Sequence, residues 1–459
     1  MTYRLNIKLT CAYSIFNPPR LGERFVHESV QLENTPRNFV RNPWFPLYYV
    51  IESDGNTLSK ATENALLSEM SDKQRALPQI GQPFAPHHWA SCVQVVDPIN
   101  SKIESTVYLE DNETALCCAC VGFEARDWEV YLLVGTGQDM DVSVKETGYQ
   151  GRGGGFLHVY RLMDAGTRLE FLHKTRFPEP IHAIAGFQGR VAVGVGAELL
   201  IYDIGTKAML RKTRGAKVPN RIVTINTMGN RLVCGDVAES VSYVVYKPTA
   251  NRLIVFCDDF IRRWTTTNTM VDYETTVGGD KFGNIWSVRC PEEVSAEADE
   301  EGMGGFIVNE RSFLNGAPYR LDEKAHIFVN DVPMTVKRTP LVPGGQDVVF
   351  WSGISGTMGA MIPFVARQDV TFFHLLEIYM RNRKELEQID KCNPPLTGRD
   401  QLTYRGYYSP VRGFIDGDFC ERFLTLPPAA KQWVATEMEN WEVPEIEKRI
   451  VEMRTRAAF

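Results

Sequence analysis

"RVAVGVG" (190–196) and "ELLIYDI" (198–204) form an apolar strand that ends in glycine, a short gap, and a second strand rich in β-branched and aromatic residues. The same pair recurs as "YLLVGTG" (131–137) with "FLHVYRL" (156–162), "RLVCGDV" (231–237) with "SVSYVVY" (240–246), and "TTVGGDKFG" (275–283) with "NIWSVRC" (284–290). The second strands begin near Phe156, Leu199, Ser240 and Asn284, about 41 to 44 residues apart, which is the period of a four-stranded propeller blade. A blade cannot bury both faces alone, so several must stack radially.

Outward from these pairs the pattern is fainter. "FVRNPWFPLYYVIESDG" (39–55), "WASCVQVVDP" with "LCCACVGF" (between 89 and 123) and "VVFWSGISGTMGAMIPF" (348–364) read as further blades, for about seven in all. The acidic "PEEVSAEADEEGMGG" after Cys290 reads as a solvated loop between two of them. Beyond Pro363 the period becomes helical, with Phe372, Leu375, Leu376, Tyr379 and Met380 sharing a face. Asp416 is placed to cap "GDFCERFL", Pro427 and Pro428 to open the next helix, and Pro444 to occupy a first turn, where its missing N–H costs nothing. The expected fold is mainly β: a β-propeller without the WD signature over residues 21–368, then a small α-helical domain over 369–459. Residues 1–20 stand apart as an N-terminal strand segment, because Tyr3, Leu5, Ile7 and Leu9 alternate with polar residues.

The 459 residues carry a formal charge of −7, which argues against a nucleic-acid backbone as the main partner, since neutralising phosphates needs a basic surface. Any RNA contact would be local. Ten scattered cysteines, no secretory leader and no apolar run approaching about 18 residues point to a soluble protein of a reducing compartment with no membrane partner.

Each motif with the residue types of a chemical site also has a structural reading. No Gly-Lys dipeptide occurs, so the phosphate-loop motif is absent; "GRGGGF" has Phe156 where a dinucleotide loop has glycine, and a strand follows it rather than a helix. The glycines read as blade turns. Cys117, Cys118 and Cys120 contain one C-x-x-C spacing with no second pair, which suggests buried strand residues rather than zinc. Ser355 in "GISGT" nearly matches a nucleophile elbow, but Thr357 replaces the last glycine. His87 and His88 lack ligand partners at useful spacing, and His374 reads as a core or rim residue. Trp264, Tyr404 and Tyr408 lie among arginines as base-stacking residues would, yet packing between blade and helices, with the arginines paired to acids, is the simpler reading. The expectation is therefore no catalytic, cofactor-binding or metal-binding residue.

"NPPLTGRDQLTYRGYYSPVRGFIDGDFCERF" (393–423), with "FLHKT" (171–175) and "FQGRVAVGVGAELLIYDIG" (187–205), resembles the family that includes damage-specific DNA-binding protein 1, the largest subunit of the cleavage and polyadenylation factor, and the third subunit of splicing factor 3b. "LGERF" (21–25), "TPRNFV" (35–40), "DKFGNIWSVR" (280–289), "FLNGA" (313–317), "LVPGG" (341–345) and "RTRAAF" (454–459) resemble the splicing branch, although Ala457 stands where that branch has tyrosine. The likeness covers residues 21–459. It implies the third propeller and helical domain of a three-propeller, noncatalytic scaffold of the U2 snRNP, acting in the nucleus at the intron branch site. The implied partners are the HEAT-repeat large subunit of splicing factor 3b and its small ten-kilodalton and zinc-knuckle-like subunits. A ubiquitin-ligase adaptor or DNA-damage-binding propeller is the alternative within the same family.

Overall fold

The computed structural model describes residues 12–17, 26–69, 84–140, 154–213, 215–300, 316–342, 344–381, 413–438 and 441–458. Its strands form antiparallel meanders, the sheet that a blade requires. The first blade runs Pro36–Arg41, Tyr48–Thr57, Phe84–Asp97 and Lys102–Tyr108; the second, Glu113–Phe123, Glu129–Gln138, Gly155–Met163 and Arg168–Phe177. The third runs Ile181–Phe187, Arg190–Val195 and Glu198–Asp203, with Leu210–Arg211 and Ala216–Lys217 both pairing its last strand. The fourth comprises Ile222–Met228, Arg231–Asp236, Val241–Lys247 and Arg252–Asp258, and Tyr319–Arg320 joins it as a parallel fifth strand.

These four blades belong to one compact unit. Apolar clusters lie between the first and second blades around Tyr49 and Leu132, between the second and third around Leu133 and Val193, and between the third and fourth around Ile201 and Leu232. Each layer is the shared core that a lone blade lacks. The hairpin Ala12–Asn17 with Val26–Gln31 forms a separate two-stranded sheet.

The second unit holds the fifth blade, Thr265–Met270, Thr275–Asp280, Asn284–Arg289 and Asp322–Phe328, and the sixth, Pro333–Pro340, Asp347–Gly353 and Met358–Met361. It also holds the helices Arg367–Arg381, Gly417–Glu421, Pro428–Glu437 and Val443–Ala458. Phe373, Leu376, Phe423, Val434 and Ile446 close a core among those helices. Asp416 has extended backbone, and its Oδ1 accepts from the Phe419 N–H at 3.0 Å, the bond of an N-cap.

Six blade sheets are present among the described residues, one fewer than the cadence suggests. "WASCVQVVDP" and "LCCACVGF" account for the difference: they are not a blade of their own but the third strand of the first blade and the first strand of the second. A second expectation also changes. Glu292–Asp299, in the acidic stretch read as a loop, is a helix with Ser295 and Ala298 buried.

The recurring glycines have a cause beyond turning. Gly135, Gly194 and Gly279 lie inside second strands. A β-carbon on Gly135 would stand 2.7 Å from Ile181 Cγ2, one on Gly194 2.9 Å from Ile222 Cγ2, and one on Gly279 2.6 Å from Pro333 Cβ. Ile181, Ile222 and Pro333 each open the first strand of the following blade and precede a register shift. At these three positions glycine recurs because the next blade begins against its bare α-carbon.

Candidate interaction surface

The sequence-level candidates do not converge. Cys117 points into the cluster between the second and third blades, while Cys118 and Cys120 pack on the opposite side of the same strand. Burial pushes the Cys120 thiol up to about 12. Ser355 sits in the hairpin turn of the sixth blade, where its N–H donates to the Asp331 carboxylate at 3.1 to 3.2 Å. His88 and His374 are exposed. The His87 side chain, Tyr404 and Tyr408 lie outside the described residues. Arg262 pairs with Glu239 and Arg263 with Glu323, each at 3.0 Å. Trp264 is not packed away: it is partly exposed at φ +51°, and the Lys281 ammonium covers one face of its ring at 3.3 Å from the centroid.

One buried constellation has the residue types of a catalytic triad. Glu113 Oε1 meets His158 Nε2 at 2.6 Å and also accepts from Thr136 Oγ1. All three residues are buried. Burial raises the Glu113 carboxyl, but the bonds from His158 and Thr136 outweigh it and hold the group below the usual carboxylate value. Threonine and histidine both address the carboxylate rather than each other, so the histidine is not placed to take the hydroxyl proton. The arrangement ties together the first three strands of the second blade.

The surface offers something different. At one end of the first blade, "NPWFPL" (42–47) links the first two strands. Asn42 Oδ1 accepts from the N–H groups of Trp44 at 2.9 Å and Phe45 at 3.1 Å, which makes the loop a side-chain-closed turn. Asn42 Nδ2 donates to Tyr49 Oη at 2.7 Å, and Tyr49 donates to the Gly166 carbonyl of the second blade at 3.1 Å. The turn is therefore anchored in two blades, yet it leaves Trp44 61% and Phe45 43% exposed. At the same end of the first blade Ile99 stands exposed on a turn closed by Asp97, whose Oδ1 accepts from the Ile99 N–H at 2.8 Å.

The corresponding loop of the second blade repeats the display. Asp127 and Trp128 both adopt positive φ, 53° and 62°, and the Trp128 N–H donates to the Phe123 carbonyl at 2.9 Å. Trp128 remains 60% exposed. A bulky residue held at positive φ is uncommon and must be imposed by its surroundings. Rigidly mounted, water-exposed tryptophans match the anchor side chains of protein interfaces, because little ordering entropy is lost when they are covered. In the sequence, "NPWFP" reads only as part of a blade. The usable signal was an Asn before a proline-flanked aromatic pair between two strand runs.

The family described as the CPSF A subunit region matches residues 90–425. The chain is 47% identical over 451 residues to pre-mRNA-splicing factor rse1 of Emericella nidulans, an alignment covering 97% of this chain and 36% of that protein. It is 39% identical to pre-mRNA-splicing factor prp12 of Schizosaccharomyces pombe, across 96% of the chain and 35% of that protein. Splicing factor 3B subunit 3 of Danio rerio is 36% identical, across 96% of the chain and 37% of that protein. The chain thus spans little more than a third of the length of the curated relatives it matches.

Proposed function

We propose, from the premise that the chain belongs to the CPSF A subunit family, that it is a noncatalytic protein-binding scaffold of pre-mRNA splicing. It works in the nucleus within the splicing factor 3b complex of the U2 snRNP, at the branch site. The observation that carries this reading is the likeness to a protein named a pre-mRNA-splicing factor, 47% identical along 97% of the chain. The propeller, over 21–368, offers its rims to the HEAT-repeat large subunit and to the small ten-kilodalton and zinc-knuckle-like subunits, while the helical domain, over 369–459, packs as its own core. Any nucleic acid is held indirectly or locally, as the excess of acidic over basic residues, 57 against 50, favours. Trp44, Phe45 and Trp128 supply anchors for an interface of the order of 1,000 Å² or more.

The test is affinity capture from nuclear extract on the purified, folded chain, with the retained proteins quantified by mass spectrometry. Enrichment of the HEAT-repeat subunit is expected. Recovery of a cullin in its place would transfer the chain to ubiquitin-ligase adaptors, and recovery of neither would remove the scaffold reading.

A further inference from the structure

The helix Glu292–Asp299 lies on the fourth blade over a site that a self-sufficient sheet would not contain. Arg231 and Lys247, on neighbouring strands, are 0% and 7% exposed. Arg231 Nη2 donates to Asp299 Oδ1 at 2.8 Å and to the Ser295 carbonyl at 3.4 Å, and its guanidinium stands 4.6 Å from the Phe256 ring centroid. Lys247 Nζ donates to the Glu300 carbonyl, just past the helix end, at 2.7 Å. The site addresses the C-terminal half of an acidic helix in two ways. The guanidinium takes a carboxylate, and the ammonium takes a terminal carbonyl at the negative end of the helix dipole.

The cover is held by polar contacts, which include a bond from Tyr319 Oη to Glu297 Oε2 at 2.7 Å, more than by apolar packing. Its buried side chains are Ser295 and Ala298, both small, so apolar burial contributes little. Eight residues are too few for a helix to persist unsupported. The carboxylate that pairs with Arg231, Asp299, remains 41% exposed and is open to screening by salt. Two buried cations, in contrast, need an anionic cover of some kind, because an uncompensated buried charge is costly.

We propose that Arg231, Lys247 and Phe256 form a recognition site for the C-terminal end of an acidic amphipathic helix of a protein partner, and that Glu292–Asp299 fills this site in cis and yields to that partner. Charge complementarity selects the occupant: a carboxylate for Arg231, a helix-terminal carbonyl for Lys247, and small side chains between them. The site is a property of the chain itself and does not rest on the splicing assignment.

The test uses a fluorescent synthetic peptide of residues 291–301, PEEVSAEADEE, titrated by anisotropy into the full chain. The opened variant Ala298→Lys, which places a long cation where the helix buries a small side chain, is expected to bind the peptide about tenfold more tightly than the unaltered chain. Binding should fall away in about 0.5 M salt and disappear when Arg231→Gln is added. Equal binding to both chains, or no binding by an opened variant that melts like the parent, overturns the proposal. Should that variant not fold, hydrogen exchange on the unaltered chain decides. Amides of 292–299 are expected to exchange at least about tenfold faster than those of Val241–Lys247, and faster still in salt; equal protection of the two segments overturns it.

Discussion

Gly135 shows how much a missing side chain can specify. Its α-carbon is where Ile181 and Cys117 meet from two directions, so Gly135→Ala forces neighbours apart in a close-packed layer. A loss of about 1 to 3 kcal/mol is expected in chemical denaturation. Gly417→Ala is the matching control: a β-carbon there meets nothing within 4 Å, and alanine suits a helix better, so this variant should be neutral or up to about 1 kcal/mol more stable. Glu52 provides a pH test at the same scale. Its Oε2 accepts from the N–H groups of Asn34 at 2.8 Å and Glu33 at 3.1 Å, but burial dominates and pushes the carboxyl from its ordinary 4.5 up to about 7. Between those values the unfolded chain has released the proton that the folded chain keeps, so stability falls as pH rises from about 4.5 to about 7, by roughly 3 kcal/mol at most. Glu52→Gln cannot titrate. Its stability relative to the parent should climb from pH 5 to pH 8, and a flat difference across that range would show that Glu52 ionises normally.

At the scale of elements, helix ends were legible because their signals are local. Asp416 lies three residues before the N–H it accepts, and Pro428 and Pro444 sit in first turns. Asp416→Ala should cost about 0.5 to 2 kcal/mol, while Asp416→Asn, which keeps an accepting oxygen, should cost much less; thermal melts of the pair measure the cap. Strand pairs were legible for a similar reason: "RVAVGVG" and "ELLIYDI" are adjacent in sequence and adjacent in the sheet. "WASCVQVVDP" and "LCCACVGF" read as one blade because they are near in sequence, yet they are not partners in a sheet. Phe84–Asp97 pairs backward with Tyr48–Thr57, and Glu113–Phe123 pairs forward with Glu129–Gln138. The acidic stretch misled differently. Its composition suits solvent, and the groups that dock it, Arg231 on Asp299 and Lys247 on the Glu300 carbonyl, stand far earlier in the chain.

For the molecule as a whole, binding is carried by side chains whose exposure no local pattern announces. Trp44→Ala with Trp128→Ala removes two displayed rings that belong to neither buried cluster flanking the second blade, although the Trp128 ring edge lies over Gly189, so stability should stay within about 1 kcal/mol. Retention of the proposed partners from nuclear extract should fall about tenfold or more if these rings anchor an interface. Unchanged retention by the folded double variant would place the interface elsewhere on the chain.

By itself, the order of residues determined the blade cadence, the shift to helices after Pro363, the caps and the family, because each is written within a few residues or in a repeated short run. Three things were decided only in three dimensions: why glycine recurs in second strands, that an acidic stretch becomes a helix, and which tryptophans face water. Each rests on groups far apart in the chain, Gly135 against Ile181, Arg231 against Asp299, and Tyr49 against Gly166. Packing between blades, and of the short helix on the fourth blade, is what brings such pairs within a few ångströms, and it acts only once the sheets have formed.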